Sequence, residues 1–279
     1  MSGETRMVES NGARLNVRID GEAGKPWLLL SNSLAADLTM WDDQVAWLTR
    51  TYRLVRYDTR GHGASSAPDG PYDFPMLVAD MVAVLDAVGA ERADVLALSL
   101  GGMTALGLAL DHPERVGRMV ICDARADNPP PFVQSWDQRV AAIREGGMES
   151  IVTGTLERWF TAAGRERNPA AAERAARMIR ETSPTGYEGC ARALQGLDYL
   201  RQLGELALPV LYVVGEEDMG APKAAMEAMA AATPGSRLVV LPGLAHVPNM
   251  EDPQAFEAAV APFLGQGAAE PAWAAAVVG

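Results

Sequence analysis

Residues 94–110, DVLALSLGGMTALGLAL, set one serine in an otherwise apolar run and follow it with two glycines. The apolar stretch before Ser99 suits a buried strand, and the stretch after it suits a buried helix. A sharp turn between the two would lift the Ser99 hydroxyl above the end of a parallel sheet. This is the geometry of the G-x-S-x-G nucleophile elbow. The turn crowds the positions two before and two after the serine, so both must be small. Here they are Ala97 and Gly101, one methyl group away from the pattern.

Outward from this turn, the chain alternates strand-like and helix-like segments. Arg6–Glu9 and Arg14–Asp20 flank Asn11-Gly12, which favours a tight hairpin turn at a sheet edge. Short apolar runs at 27–31, 52–57, 93–98, 118–122, 210–214 and 237–241 read as further strands. Helical spacing appears around Trp41, Val45 and Leu48, over 77–88, after Ser99, over 221–232 and from Pro253 to Leu264. Such alternation predicts an α/β fold with a mostly parallel, eight-stranded sheet covered by helices on both faces. Sites in such sheets lie beyond the carboxyl ends of the strands.

Between the strands near Cys122 and Val210 the sequence has no strand-like run. It is rich in Ala, Arg and Glu and is broken at Pro129–Pro131, Gly146-Gly147, Asn168-Pro169 and Ser183-Pro184. Four or so helices forming a cap over the strand ends are expected at 124–206. The sheet core then comprises 1–123 and 207–265, and 266–279 reads as a C-terminal tail.

Composition narrows the function. The 36 acidic and 24 basic residues give a net charge of -12 with no basic block, which argues against a nucleic-acid partner. Residues 95–110 carry no charge, yet the run is short and interrupted by Ser99, Gly101 and Gly102, so no membrane span is expected. Cys122 and Cys190 lack metal-binding spacing and read as reduced thiols. The polar start, MSGETRMVESNG, lacks the apolar core of a signal peptide, and a cytoplasmic enzyme is the expectation.

A serine hydroxyl needs a base, and that base needs an oriented partner. Of the three histidines, His62 lies in the Gly-rich DTRGHGAS loop, where it is expected to fix loop structure. His112 closes the helix after Ser99, directed away from the strand ends. His246, just past the last strand, is placed to meet Ser99. The acid should stand at another strand end, and Asp218 after LYVVGEE fits best, with Asp123 after MVIC as the second candidate. An oxyanion needs preset donors. The amide of Leu100 should supply one, and the loop after WLLLS, at Leu34, the other.

These residues resemble the α/β-hydrolase fold, with its Ser, Asp, His order and helical cap. More narrowly, LSNSLAADLTMWDDQ, RLVRYDTRGHGAS, LSLGGM, GLDYL and AHVPNMEDPQAF are similar to 3-oxoadipate enol-lactonases. The resemblance implies hydrolysis of a small carboxylated enol-lactone without metal or cofactor. Carried over by position, it makes Ser99 nucleophile, Asp218 acid, His246 base, and the Leu34 and Leu100 amides the oxyanion hole. The chain departs from the pattern at Ala97, at Ala35 and in the opening of the cap, CDARADNPPPF. The substrate carboxylate calls for a cation, with Arg139 the choice over Arg125 and Arg158 because it shares a helical face with Trp136. Trp136, Trp159 and Met148 are expected to line the pocket. C–C bond hydrolysis, cofactor-free perhydrolysis and slow-turnover ligand sensing remain alternatives on the same three residues.

Overall fold

A computed structural model describes residues 3–265, so the expected tail at 266–279 lies outside the described residues. Eight strands form one sheet: β1 (Glu4–Ser10), β2 (Ala13–Asp20), β3 (Trp27–Ser31), β4 (Arg53–Tyr57), β5 (Ala93–Leu98), β6 (Val116–Cys122), β7 (Val210–Gly215) and β8 (Arg237–Leu241). Their spatial order is β1-β2-β4-β3-β5-β6-β7-β8. β1 and β2 pair antiparallel, as do β2 and β4, and every later pairing is parallel. The sheet is therefore eight-stranded and mostly parallel, as the alternation predicts. In β1 buried and exposed residues alternate towards its end, whereas β5 and β7 are buried almost throughout, as expected of an edge strand and of strands covered on both faces.

The helices that cover the sheet are α1 (Asp42–Leu48), α2 (Phe74–Ala87) and α3 (Leu100–Asp111), then, after the β6–β7 crossover, α9 (Lys223–Ala232), α10 (Pro248–Glu251) and α11 (Pro253–Val260). The crossover holds five α-helices, one more than the expected four or so: α4 (Pro130–Gly146), α5 (Val152–Trp159), α6 (Ala162–Arg167), α7 (Pro169–Glu181) and α8 (Pro184–Gln195). The breakers in the sequence mark their ends. Asn168 and Ser183 accept hydrogen bonds from the first turns of α7 and α8, whose first residues are Pro169 and Pro184. An Asn or Ser cap followed by proline satisfies free amides and presets the first helical dihedral. At one contact with the rest of the molecule a Cβ on Gly186 would stand 2.3 Å from the Gly61 Cα, so only glycine permits that approach. Ser183 N–H donates to the Gly61 carbonyl at 3.0 Å across the same seam.

Cys122 and Cys190 are free and buried. Among the described residues, no helix is long and apolar enough to cross a membrane.

Candidate active site

Six parallel strands bring their carboxyl ends to one edge, and the chain that follows five of them carries the polar residues of interest. Asn32–Leu34 follow β3, Ser99 follows β5, Asp123 follows β6, Asp218 lies beyond β7 and His246 beyond β8. From Val95 to Ala109 Ser99 alone is not buried. Its backbone takes φ 54° and ψ -117°, a strained conformation for a non-glycine residue and the mark of a tight strand-to-helix turn. Gly101 shows why the turn needs small residues. A Cβ there would fall 2.5 Å from the Ser31 carbonyl oxygen, and the Gly101 amide donates to Asn32 O at 2.9 Å.

His246 Nδ1 lies 2.8 Å from Asp218 Oδ2, and the Asp218 side chain is wholly buried. The other carboxylate oxygen accepts the Gly220 N–H at 2.7 Å. With Nδ1–H donated to Asp218, the Nε2 lone pair of His246 is free to accept a proton. The second carboxyl candidate, Asp123, instead accepts the Gly215 N–H at 2.8 Å. Oxygen and nitrogen atoms of Asp123, Asp218 and His246 fall within 4.8 Å of one another, the spacing of a metal cluster. The 2.8 Å His246–Asp218 separation is that of a hydrogen bond, whereas two ligands of one tetrahedral zinc stand about 3.3 Å apart. The geometry therefore fits a bonded pair better than a cation site.

Two backbone amides beside Ser99 are conspicuous for what they lack. Ser99 N–H reaches Cys122 O, Gly101 N–H reaches Asn32 O, Ser33 N–H points at Met40 Sδ, and Ala35 N–H donates to His62 Nε2 at 2.9 Å. The amides of Leu34 and Leu100, among the described residues, meet no acceptor. A buried N–H without a partner is rare enough to require an explanation, and an oxygen of a bound molecule would supply one.

Three residues that sequence reasoning left without a site role, or missed, hold this arrangement. Asn32 accepts from Trp41 Nε1 and donates to Tyr57 O, pinning the loop that precedes Leu34. His62 is fully buried, and burial lowers its pKa to about 4, so at neutral pH it is the uncharged acceptor that Ala35 needs. Glu251 accepts from Ala245 N–H, next to His246, and from both Thr161 N–H and Thr161 Oγ1–H, tying the His246 loop to α6. A Gly-rich loop signalled His62 as structural. Nothing in the spacing of PNMEDP singled out Glu251.

Ser99, His246 and Leu34 open onto a cavity of about 300 Å³. Its opposite wall comes from α4, α5 and α8 and includes Phe132, Trp136, Arg139, Arg158, Trp159 and Tyr187. Met148 was expected there and is not part of the wall; it is buried in the apolar core. Nor does Arg125 serve as a free cation, since it bonds Asp127 at 2.8 Å. Arg139 lies over the Trp136 ring, its Cζ 4.3 Å from the centroid. Arg158 donates to Thr155 Oγ1 at 3.0 Å, and burial, then the charge of Arg139, lower its pKa to about 10. Neither guanidinium forms a salt bridge with a carboxylate among the described residues, although Arg139 hydrogen-bonds Tyr187 and the nearby charge of Glu157 acts on Arg158. His112 keeps to a half-exposed position near Glu114, away from the cavity.

The profile of the α/β hydrolase fold family matches residues 26–253. A 3-oxoadipate enol-lactonase from Acinetobacter baylyi is 36% identical over 246 residues, 88% of this chain and 91% of that protein. The solved enol-lactonase from Burkholderia xenovorans is 36% identical with a TM-score of 0.89, covering 94% of this chain and 100% of that one. More distantly, a putative carbamate hydrolase of Caulobacter segnis is 29% identical over 87% of this chain and 92% of that protein.

Proposed function

We propose that this chain, which belongs to the α/β-hydrolase fold family, is a serine hydrolase that opens a small carboxylated lactone, of the 3-oxoadipate enol-lactone type, through an acyl-enzyme. The reading rests on one observation above the others. A single cavity is lined by Ser99, His246 and Leu34 together with Arg139 and Arg158, two guanidiniums that form no salt bridge among the described residues. Residues 124–206 act as the cap that closes the cavity and selects the substrate.

In the proposed mechanism Ser99 Oγ attacks the lactone carbonyl as His246 Nε2 takes its proton. Asp218 holds the imidazole by its Nδ1–H and stabilises the imidazolium. The carbonyl oxygen, now an anion, accepts the Leu34 and Leu100 N–H groups. As the ring C–O bond breaks, the leaving enol oxygen takes the proton from His246. Its carbon chain stays attached to the acyl group. Water, deprotonated by His246, then attacks the ester, and Ser99 recovers its proton as the acid leaves. Every step uses groups of this chain.

Arg139 and Arg158 are assigned to the substrate carboxylate, which would form the salt bridge that neither makes among the described residues. Trp136 and Trp159 give the apolar wall against which the ring rests. An activity-based test is direct. A fluorophosphonate probe should label the wild type and not Ser99→Ala, and hydrolysis should favour 3-oxoadipate enol-lactone over uncharged aryl esters. A folded wild type that neither labels nor hydrolyses any member of that panel would defeat the proposal.

A further inference from the structure

A second carboxyl is buried behind the His246–Asp218 pair. Asp123 follows β6 much as Asp218 follows β7, and it is completely shielded from solvent. Its backbone φ is 46°, in the left-handed region that costs a non-glycine residue energy, so the surrounding structure forces this residue into place. The Asp123 N–H donates to Val213 O at 2.9 Å, and Oδ1 accepts from Gly215 N–H at 2.8 Å. Oδ2 is buried and meets no donor among the described residues. No Lys or Arg pairs with Asp123 among the described residues.

Were Asp123 ionised, its charge would sit unpaired in a low-dielectric interior with one oxygen unsatisfied, beside another carboxylate. A proton resolves both faults at once: it removes the charge and turns an acceptor without a donor into a donor beside Asp218. Resting on the reading of Asp218 as the acid that orients His246, we propose that Asp123 is a positioning residue. It is held as the neutral carboxylic acid and gives its Oδ2–H to the Asp218 carboxylate. That bond fixes the rotamer of Asp218 and disperses its charge. The titratable groups around it are Cys122 on its own strand, Asp218 beyond β7, His246 beyond β8 and Glu251 on α10. Burial, then the charge of Asp218, raises the Asp123 pKa well above the carboxylate range, with the Gly215 N–H pulling the other way.

Substitution separates this role from a merely structural one. Asn keeps an acceptor for Gly215 N–H and an N–H for Asp218, so Asp123→Asn should retain kcat/KM within about threefold and leave the acid limb of its pH profile in place. Asp123→Ala deletes the donor; it should lose about tenfold, the effect of one hydrogen bond to a charged group. Its acid limb should move to higher pH, because an Asp218 charge that is no longer dispersed favours the imidazolium. If Asp123 were ionised, Asp123→Asn would remove a negative charge beside His246 and shift that limb to lower pH, which overturns the proposal. Infrared difference spectroscopy of wild type minus Asp123→Asn at neutral pH reads the proton without activity. A protonated-carboxyl stretch present in the wild type and absent in the variant is expected, and its absence from the wild type also overturns the proposal. The spectrum stands even if Ser99 proves not to be a nucleophile, so the two failures are distinguishable. Should Asp123→Ala not fold, the Asn variant and the spectrum decide.

Discussion

On the floor of the cavity the chain holds its own polar groups. His246 meets Asp218, and the Leu34 loop is fastened through Ala35 to His62. Across the cavity, on α4 and α5, Arg139 stacks on Trp136 and Arg158 bonds Thr155, and neither forms a salt bridge among the described residues. A floor whose His246, Asp218 and His62 side chains are tied down, with the Leu34 and Leu100 amides left open, can stay in one geometry whether or not substrate is present, as preorganised catalysis requires. A roof whose guanidiniums form no salt bridge keeps donors open to an incoming anion, which suits it to selection in the proposed function. The proposed division of labour follows from that contrast: chemistry below, recognition above.

The largest test of it removes the hydroxyl proposed to react. Ser99→Ala should lower kcat/KM at least about a thousandfold, some 4 kcal/mol of transition-state stabilisation, on charged and uncharged substrates alike. Unchanged unfolding midpoints would show that the floor keeps its shape without the hydroxyl. Steady-state hydrolysis together with urea denaturation measures both.

His62 probes the rest of the floor. Its folded pKa of about 4 lies below the ordinary 6.5, so the unfolded chain takes up the proton first. Stability from this group is thus complete above about pH 6.5, falls as the pH drops, and stops falling near pH 4. The difference of about 2.5 corresponds to about 3 kcal/mol at most. Urea midpoints followed from pH 7 to 4 should show this loss in the wild type and less of it in His62→Gln. A variant with the same slope as the wild type would assign the acid sensitivity to other groups.

The roof is tested by charge. Arg139→Met with Arg158→Met should cut kcat/KM for the carboxylated lactone by about 10- to 100-fold, or roughly 1.4 to 2.8 kcal/mol, chiefly through KM. An uncharged aryl ester should change by less than about threefold in the same variant. Equal losses on the two substrates would mean that the arginines shape the wall rather than bind an anion, and the contrast between floor and roof would fail.

The same contrast divides what could be read from the sequence. Strands announced themselves as short apolar runs because parallel strands are buried on both faces, and chain order then set Ser99, Asp218 and His246 at strand ends. Side-chain partnerships across the fold left no such trace. Glu251 reaches Thr161 across 90 residues, and the nearness of Arg158 to Arg139 depends on how α5 sits beside α4. Periodicity reports that a helix face is apolar without saying what it faces. For that reason Met148 and Trp136, equally apolar, go to the core and to the cavity wall respectively. Asp123 and Asp218 look alike in sequence, each at a strand end; which of them meets His246 is settled by loops that no local pattern encodes.

The smallest effect concerns the one methyl group by which the elbow departs from its pattern. Ala97 is fully buried in β5, paired with Ser31 of β3 and Ile121 of β6. Gly101 faces the Ser31 backbone so closely that no Cβ fits, while the Ala97 side of the turn already accommodates one. The tight side of the elbow is therefore the helix side, and the methyl of Ala97 is ordinary core packing. Ala97→Gly should cost about 1 kcal/mol of stability, from a flexible residue in a strand and a lost buried methyl. It should leave kcat/KM within about threefold, because the strain that aims Ser99 is set at Gly101 and at Ser99 itself. A rate change beyond about tenfold, some 1.4 kcal/mol, with little loss of stability would place the methyl group among the features that position Ser99.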